Sequence, residues 1–218
     1  MSEEGADMNF EELTIFAENF SKRLQGEACC AILCHSEMAA AMALLGCFAA
    51  GVTAVPLSMR YGENHCRKIL DFISPSCIIT DEYGELMITR YGKYGYRAPK
   101  EHPALIMCTS GTTGTPKGVM LSEKNILASV KAISAYFDIG KDDGILIARP
   151  LYHCAVLTGE FLTAIEKGTG IRFYSGSFNP PEVLKLIRDR NITAFCATPT
   201  WLSMMSRFTG RVKTPLLK

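Results

Sequence analysis

Met107-Cys108-Thr109-Ser110-Gly111-Thr112-Thr113-Gly114-Thr115-Pro116-Lys117-Gly118 is the stretch on which the reading of this chain turns. It follows the apolar run Ala104–Cys108, which has strand length. It precedes a helix capped by Ser122, with Ile126, Val130, Ile133 and Phe137 on its inner face. In a parallel α/β sheet, loops at the carboxyl ends of strands are where ligands bind. Hydroxyl side chains can donate to phosphate oxygens, and Gly111 and Gly114 let the backbone turn its N–H groups toward an anion. Lys117 adds a compact cation. The set suits a polyphosphate; the plainer alternative is a polar surface turn. GxxxxGK[ST] is not met, because Thr115-Pro116-Lys117-Gly118 stands where Gly-Lys-Ser/Thr is needed, and GxGxxG is absent. A P-loop nucleotidase and a nicotinamide dehydrogenase are both disfavoured.

Outward from this loop the hydrophobic period alternates between helix and strand. Asn9 with Glu12 forms a capping box ahead of the stripe Leu13, Phe16, Ala17, Phe20 and Leu24. Strand-length runs follow at Ala28–Cys34, Val52–Leu57 and Cys77–Thr80, separated by a helix at Glu37–Ala50 and the stripe Cys66, Ile69, Leu70 and Ile73. After the loop, strands are expected at Ile145–Ala148, Gly170–Phe173 and Ile192–Ala197. Helices are expected at Val156–Glu166, from Asn179-Pro180-Pro181-Glu182, and from Thr198-Pro199. Buried strands alternating with helices imply an α/β chain: mainly parallel sheets covered by helices, in two lobes. Between Asp81 and Pro103 the period fails, and Tyr83-Gly84, Tyr91-Gly92 and Tyr94-Gly95 punctuate the chain. That stretch, 81–103, reads as irregular or hairpin-like and as the seam between lobes.

The 218 residues carry 23 Lys+Arg against 22 Asp+Glu, a net charge of +1, which disfavours an extended nucleic-acid or anionic-membrane face. Charged residues make up 21% and hydrophobic residues 48%, a globular balance rather than a disordered one. Met38–Leu57 is uncharged and long enough to span a bilayer, but Ala dominates it and Gly46 and Gly51 interrupt it. A buried helix followed by a strand is the better reading, with no membrane span. The acidic amino terminus does not look like a secretory leader. Most of the nine cysteines sit in apolar runs, so reduced thiols in a cytoplasmic protein are expected. Cys30, Cys34 and His35 tempt a zinc reading, but no CxxC and no second ligand pair accompany them, and no metal ligand is assigned.

Thr109–Gly118 resembles the signature phosphate loop of the adenylate-forming superfamily, which includes acyl- and aryl-CoA synthetases, luciferases and peptide-synthetase adenylation domains. Asn9–Leu13 is similar to the family's opening helix, and Ala49–Leu57 with Arg60-Tyr61 and Ser74-Pro75 to its AGxxxVPL segment. Pro150-Leu151-Tyr152-His153 resembles the PLxH motif of the CoA-ligase branch, and Thr198-Pro199-Thr200 a further helix start. The likeness covers nearly all of residues 1–218, as a partial AMP-binding domain.

The resemblance implies ATP-dependent activation of a small-molecule carboxylic acid to an acyl- or aryl-adenylate, then transfer to CoA or a carrier-protein pantetheine. It implies that Thr109, Ser110, Gly111, Thr112, Thr113, Gly114 and Lys117 hold the ATP phosphates, with Lys117 and His153 catalytic. His153 would lie near the carboxylate pocket and thiol tunnel; a helix-cap histidine without chemistry is the alternative. Tyr152 reads as pocket wall or core, and nothing marks Cys154 as an activated nucleophile. The chain stops at Lys218, before the family's acidic Mg²⁺ ligand, its ribose-gripping Asp and its small carboxy-terminal domain with the second lysine. It therefore reads as an amino-terminal fragment, with little or no ATP–pyrophosphate exchange of its own and self-association through surface exposed by truncation. A stand-alone nucleotide- or partner-binding module is the alternative from another class.

Overall fold

The computed structural model describes residues 1–3, 6–90, 96, 102–109, 117–174 and 177–208. The chain forms two compact units. One comprises Asn9–Ala128 and Leu151–Cys154; the other comprises Met1–Met8, Ser129–Pro150 and Ala155–Lys218.

The strands are β1 (Ser2–Glu3), β2 (Ala6–Asp7), β3 (Cys29–Ile32), β4 (Thr53–Pro56), β5 (Cys77–Glu82), β6 (Glu85–Arg90), β7 (Leu105–Thr109), β8 (Lys117–Leu121), β9 (Gly144–Ile147), β10 (Gly170–Phe173) and β11 (Ala194–Phe195). The helices are α1 (Phe10–Arg23), α2 (Glu37–Ala50), α3 (Glu63–Ile73), α4 (Glu123–Ser134), α5 (Cys154–Val156), α6 (Thr163–Lys167), α7 (Pro180–Asp189) and α8 (Pro199–Ser206). A π-helical turn, Leu157–Leu162, joins α5 to α6.

In the unit built on Asn9–Ala128 the sheet runs β6-β5-β3-β4-β7-β8. Its centre is parallel: β5 pairs with β3, β3 with β4, and β4 with β7. Both edge pairs, β5 with β6 and β7 with β8, are antiparallel. β3 and β4 are buried along their whole length, and β5 and β7 over their first three residues, which is why these segments read as unbroken apolar runs. Cys29, Ala31, Val55, Leu57, Ile69, Ile78 and Ile106 pack together under α3. α1 and α2 pack against each other: a Cβ built on Gly46 would run into the Phe20 ring, which would have to shift. Asn9 and Glu12 complete the capping box, and Ser36 caps α2. α2 is 14 residues long; among the described residues no helix is long and apolar enough to cross a membrane.

The other unit carries the sheet β11-β9-β10-β1-β2, in which β11, β9, β10 and β1 are mutually parallel. Leu146, Val183, Leu184, Ile187, Ile192 and Met205 form its core beneath α7 and α8, with Phe178 stacked on Trp201 at 3.8 Å between ring centroids. The opposite side packs Phe161 of the π-helical turn near Phe173, at 6.1 Å.

The expected seam at 81–103 is corrected in part. Its opening is the hairpin β5–β6, turned through Tyr83 and Gly84, both with positive φ, and it lies inside one unit. The apolar period fails there because β6 is an edge strand on which Leu86 is the buried hydrophobe. Polar ties hold it instead: Arg23 donates to the Leu86 carbonyl at 3.1 Å, and Arg90 donates to Glu27 at 2.7 Å. Residues 91–95 and 97–101 lie outside the described residues. The helix expected after the phosphate loop is α4, and between loop and helix the structure adds a strand that the sequence reading did not contain, β8.

Candidate functional site

β7 and β8 meet the loop as a matched pair. Their register runs from Leu105↔Leu121 to Thr109↔Lys117, so the loop's two ends sit directly opposite each other. Leu105, Ile106 and Met107 are buried while Thr109 and Lys117 are exposed; the hairpin is anchored at its base and presents hydroxyl and ammonium at its mouth. Ser110, Gly111, Thr112, Thr113 and Gly114 lie outside the described residues. A Cβ on Gly118 would come within 2.9 Å of Ile106 Cγ2, which explains why the residue after Lys117 is glycine.

Because β3, β4, β5 and β7 are parallel, their carboxyl ends share one edge of the sheet. Thr109 ends β7 at that edge, and Asp81 lies near the end of β5. The Asp81 carboxylate accepts the backbone N–H of His35 at 2.6 Å and of Ser36 at 3.1 Å, fixing the link from β3 into α2. Ser36 Oγ accepts from the Ala39 N–H at 3.1 Å, and the next residue, Glu37, accepts the Leu151 N–H at 2.9 Å. Leu151–Cys154 thereby belongs to the unit that holds Thr109 and Lys117. Leu151 is buried, His153 is exposed, and the Tyr152 and His153 rings lie 4.2 Å apart at 44°. Sequence reasoning missed Glu37 and Asp81. Their one local signal was the Ser36-Glu37 pair opening a helix behind an apolar strand.

Several thiols are held in the protonated form by their surroundings. Burial pushes Cys29 up to about 12 and Cys108 up to about 11. Cys30 and Cys77 face each other across β3 and β5 with their sulfurs 2.7 Å apart. Cys30 is raised chiefly by its contact with Cys47, and Cys77 chiefly by its contact with Cys30. Among the described residues no group of three or more His, Cys, Asp or Glu is placed to hold a metal ion.

A second polar feature lies in the other unit. Glu160, in the π-helical turn and 2% exposed, is paired with the Arg149 guanidinium. Burial outweighs that cation and raises the Glu160 carboxyl to about 7. Among the described residues, Glu160 Oε2 and Arg149 Nε have no hydrogen-bond partner.

The model of the AMP-binding enzyme family matches residues 1–93 and 89–217. Feruloyl-CoA synthase of an Amycolatopsis species is 30% identical over 175 residues, covering 72% of this chain and 35% of that protein. Sulfoacetate–CoA ligase of Cupriavidus necator is 48% identical over 63 residues, covering 29% of this chain and 12% of that protein. Among solved structures, the O-succinylbenzoate coenzyme A synthetase of Bacillus subtilis in complex with AMP superposes with a TM-score of 0.75 at 25% identity. The match covers 94% of this chain and 59% of that one. The N-terminal domain of FACL13 from Mycobacterium tuberculosis shares the fold, with a TM-score of 0.82 at 18% identity over 99% of this chain and 63% of that one. The chain spans about a third of the length of the feruloyl-CoA synthases it matches.

Proposed function

The chain belongs to the AMP-binding enzyme family, and from that premise we propose that it supplies the phosphate-holding part of an ATP-dependent carboxylate-activating ligase. In the whole protein a carboxylate oxygen attacks the α-phosphorus of ATP, the acyl–adenylate bond forms, and pyrophosphate leaves with the electron pair of the broken anhydride. A thiolate then attacks the acyl carbon and AMP leaves. The names of the relatives, CoA synthases and CoA ligases, support CoA as that thiol. Nine free cysteines, most of them buried or half-buried, support a reducing, cytoplasmic setting.

In this reading Thr109 and Lys117 hold the pyrophosphate end of ATP from opposite sides of the loop, with Ser110, Gly111, Thr112, Thr113 and Gly114 between them. As negative charge moves onto the leaving pyrophosphate, an ammonium aimed in advance stabilises it more than it stabilises the ground state. His153 stands toward the carboxylate and thiol. Mg²⁺, when bound, would neutralise phosphate charge.

The register Thr109↔Lys117 at the carboxyl end of a central parallel strand carries the reading. Calorimetric titration of the 218-residue chain tests it. ATP is expected to bind saturably, tripolyphosphate to compete with it, and adenosine to compete weakly. Binding that adenosine abolishes and tripolyphosphate leaves untouched would mean that the loop does not hold the phosphates.

A further inference from the structure

Leu151–Cys154 departs from the chain on either side of it. The residues before and after belong to the unit built on Ser129–Pro150 and Ala155–Lys218, whereas these four belong to the unit of β3–β8. Outside a sheet ladder, a backbone donor buried away from water must find another partner, and Leu151 is buried. Pro150 has no N–H, so Leu151 offers the first donor of the segment, and the Glu37 carboxylate takes it at 2.9 Å.

The acceptor is itself held at several points. Glu37 is the first residue of α2, where the helix dipole favours a carboxylate. Ser36 caps the same helix end, and Asp81 binds the His35 and Ser36 amides from the end of β5. Behind these contacts α2 is locked into the core by Ala41, Ala43, Leu44 and Cys47, all at most 1% exposed. The carboxylate is thus a fixed point on the edge of the sheet at which β7 delivers Thr109. His153 follows two residues after the tether, with Leu151 buried and Tyr152 against its ring.

We propose that Glu37 is the positioning residue for His153: its carboxylate, by holding the Leu151 amide, sets where the imidazole stands relative to the sheet edge that carries Thr109 and Lys117. The proposal rests on the functional reading above for its importance, but the tether can be tested on the ligand-free chain, so its failure is distinguishable from a failure of nucleotide binding.

Glu37→Ala and Glu37→Gln would be compared with the parent by nuclear magnetic resonance. The readouts are amide hydrogen exchange at Leu151, the pH titration of the His153 imidazole, and exchange at the core amide of Leu44 as a measure of global stability. Loss of a charge-assisted hydrogen bond is expected to speed Leu151 exchange in Glu37→Ala about ten- to a hundredfold. The His153 titration should move, and Leu44 should keep its protection. Gln retains a carbonyl acceptor, so Glu37→Gln should recover most of the Leu151 protection and the parental His153 titration, which a contribution to folding alone would not produce. Unchanged Leu151 exchange and His153 titration in Glu37→Ala would overturn the proposal. Equal loss of Leu44 protection in both variants would also overturn it, by making Glu37 a folding residue. Should the Ala variant fail to fold, the Gln variant decides: parental values at Leu151 and His153 support the tether, and a full loss of Leu151 protection refutes it.

Discussion

Replacing Glu160 by Gln should change the pH dependence of stability in a direction fixed by which of two opposing effects wins. Glu160 is 2% exposed and faces Arg149; burial favours its neutral form, the guanidinium favours its charged form, and the carboxyl sits at about 7. An unfolded glutamate titrates near 4.5. The native state therefore keeps a proton that the unfolded state releases. This stabilisation is complete below about pH 4.5 and is lost as pH rises through about 7. At about 1.4 kcal/mol per pKa unit, the loss comes to about 3 kcal/mol. Gln cannot ionise, and Arg149 stays charged throughout, so subtracting the Glu160→Gln curve from the parental one isolates the Glu160 titration. Urea unfolding at pH 5, 6, 7 and 8, followed through Trp201 in the same unit, would measure it. The parental stability should fall relative to the variant by about 2–3 kcal/mol across that range. A difference that rises with pH would show that the ion pair outweighs burial, and a flat difference would show that Glu160 does not titrate in this window.

Two further perturbations test the packing. Gly46→Ala places a methyl group against the buried Phe20 ring. Overpacking of about 2–3 kcal/mol, less about 1 kcal/mol of helix propensity, leaves about 1–2 kcal/mol and should lower Tm by about 2–8 °C in a thermal melt; an unchanged or raised Tm would contradict the close α1–α2 crossing. β8 pairs with β7 alone among the described residues and exposes Val119 at 49% and Met120 at 55%. Such an edge invites a second copy. Light scattering should give an apparent mass that grows with concentration, and Met120→Lys should suppress that growth. A clean monomer at high concentration would refute self-association through this edge.

What could be read in the sequence follows where burial was one-sided or complete. Glu37–Ala50 was expected as a helix and is one, since Ser36 opens it and Gly51, in the left-handed region, closes it. The strands at Cys29, Thr53, Cys77, Leu105, Gly144 and Gly170 were legible because parallel strands buried on both faces leave continuous apolar runs. β6 and β8 were not, since each is an edge strand with little apolar surface to bury: β6 buries Leu86 alone and β8 has no fully buried residue. The helix expected at Val156–Glu166 is present but widens into a π turn, a backbone choice that periodicity does not record. At the candidate site, a motif named Thr109, Lys117 and His153 as candidates, whereas no motif pointed to Glu37. A hydrogen bond between residues 114 positions apart leaves no local pattern.

The measurement that bears most directly on the phosphate-loop reading is the dissociation constant of ATP for the 218-residue chain and its Lys117→Ala variant, compared under identical salt. A charge-assisted contact of about 1.5–3 kcal/mol predicts affinity weakened about ten- to a hundredfold in the variant. Identical dissociation constants would place the Lys117 ammonium away from the nucleotide and contradict the account.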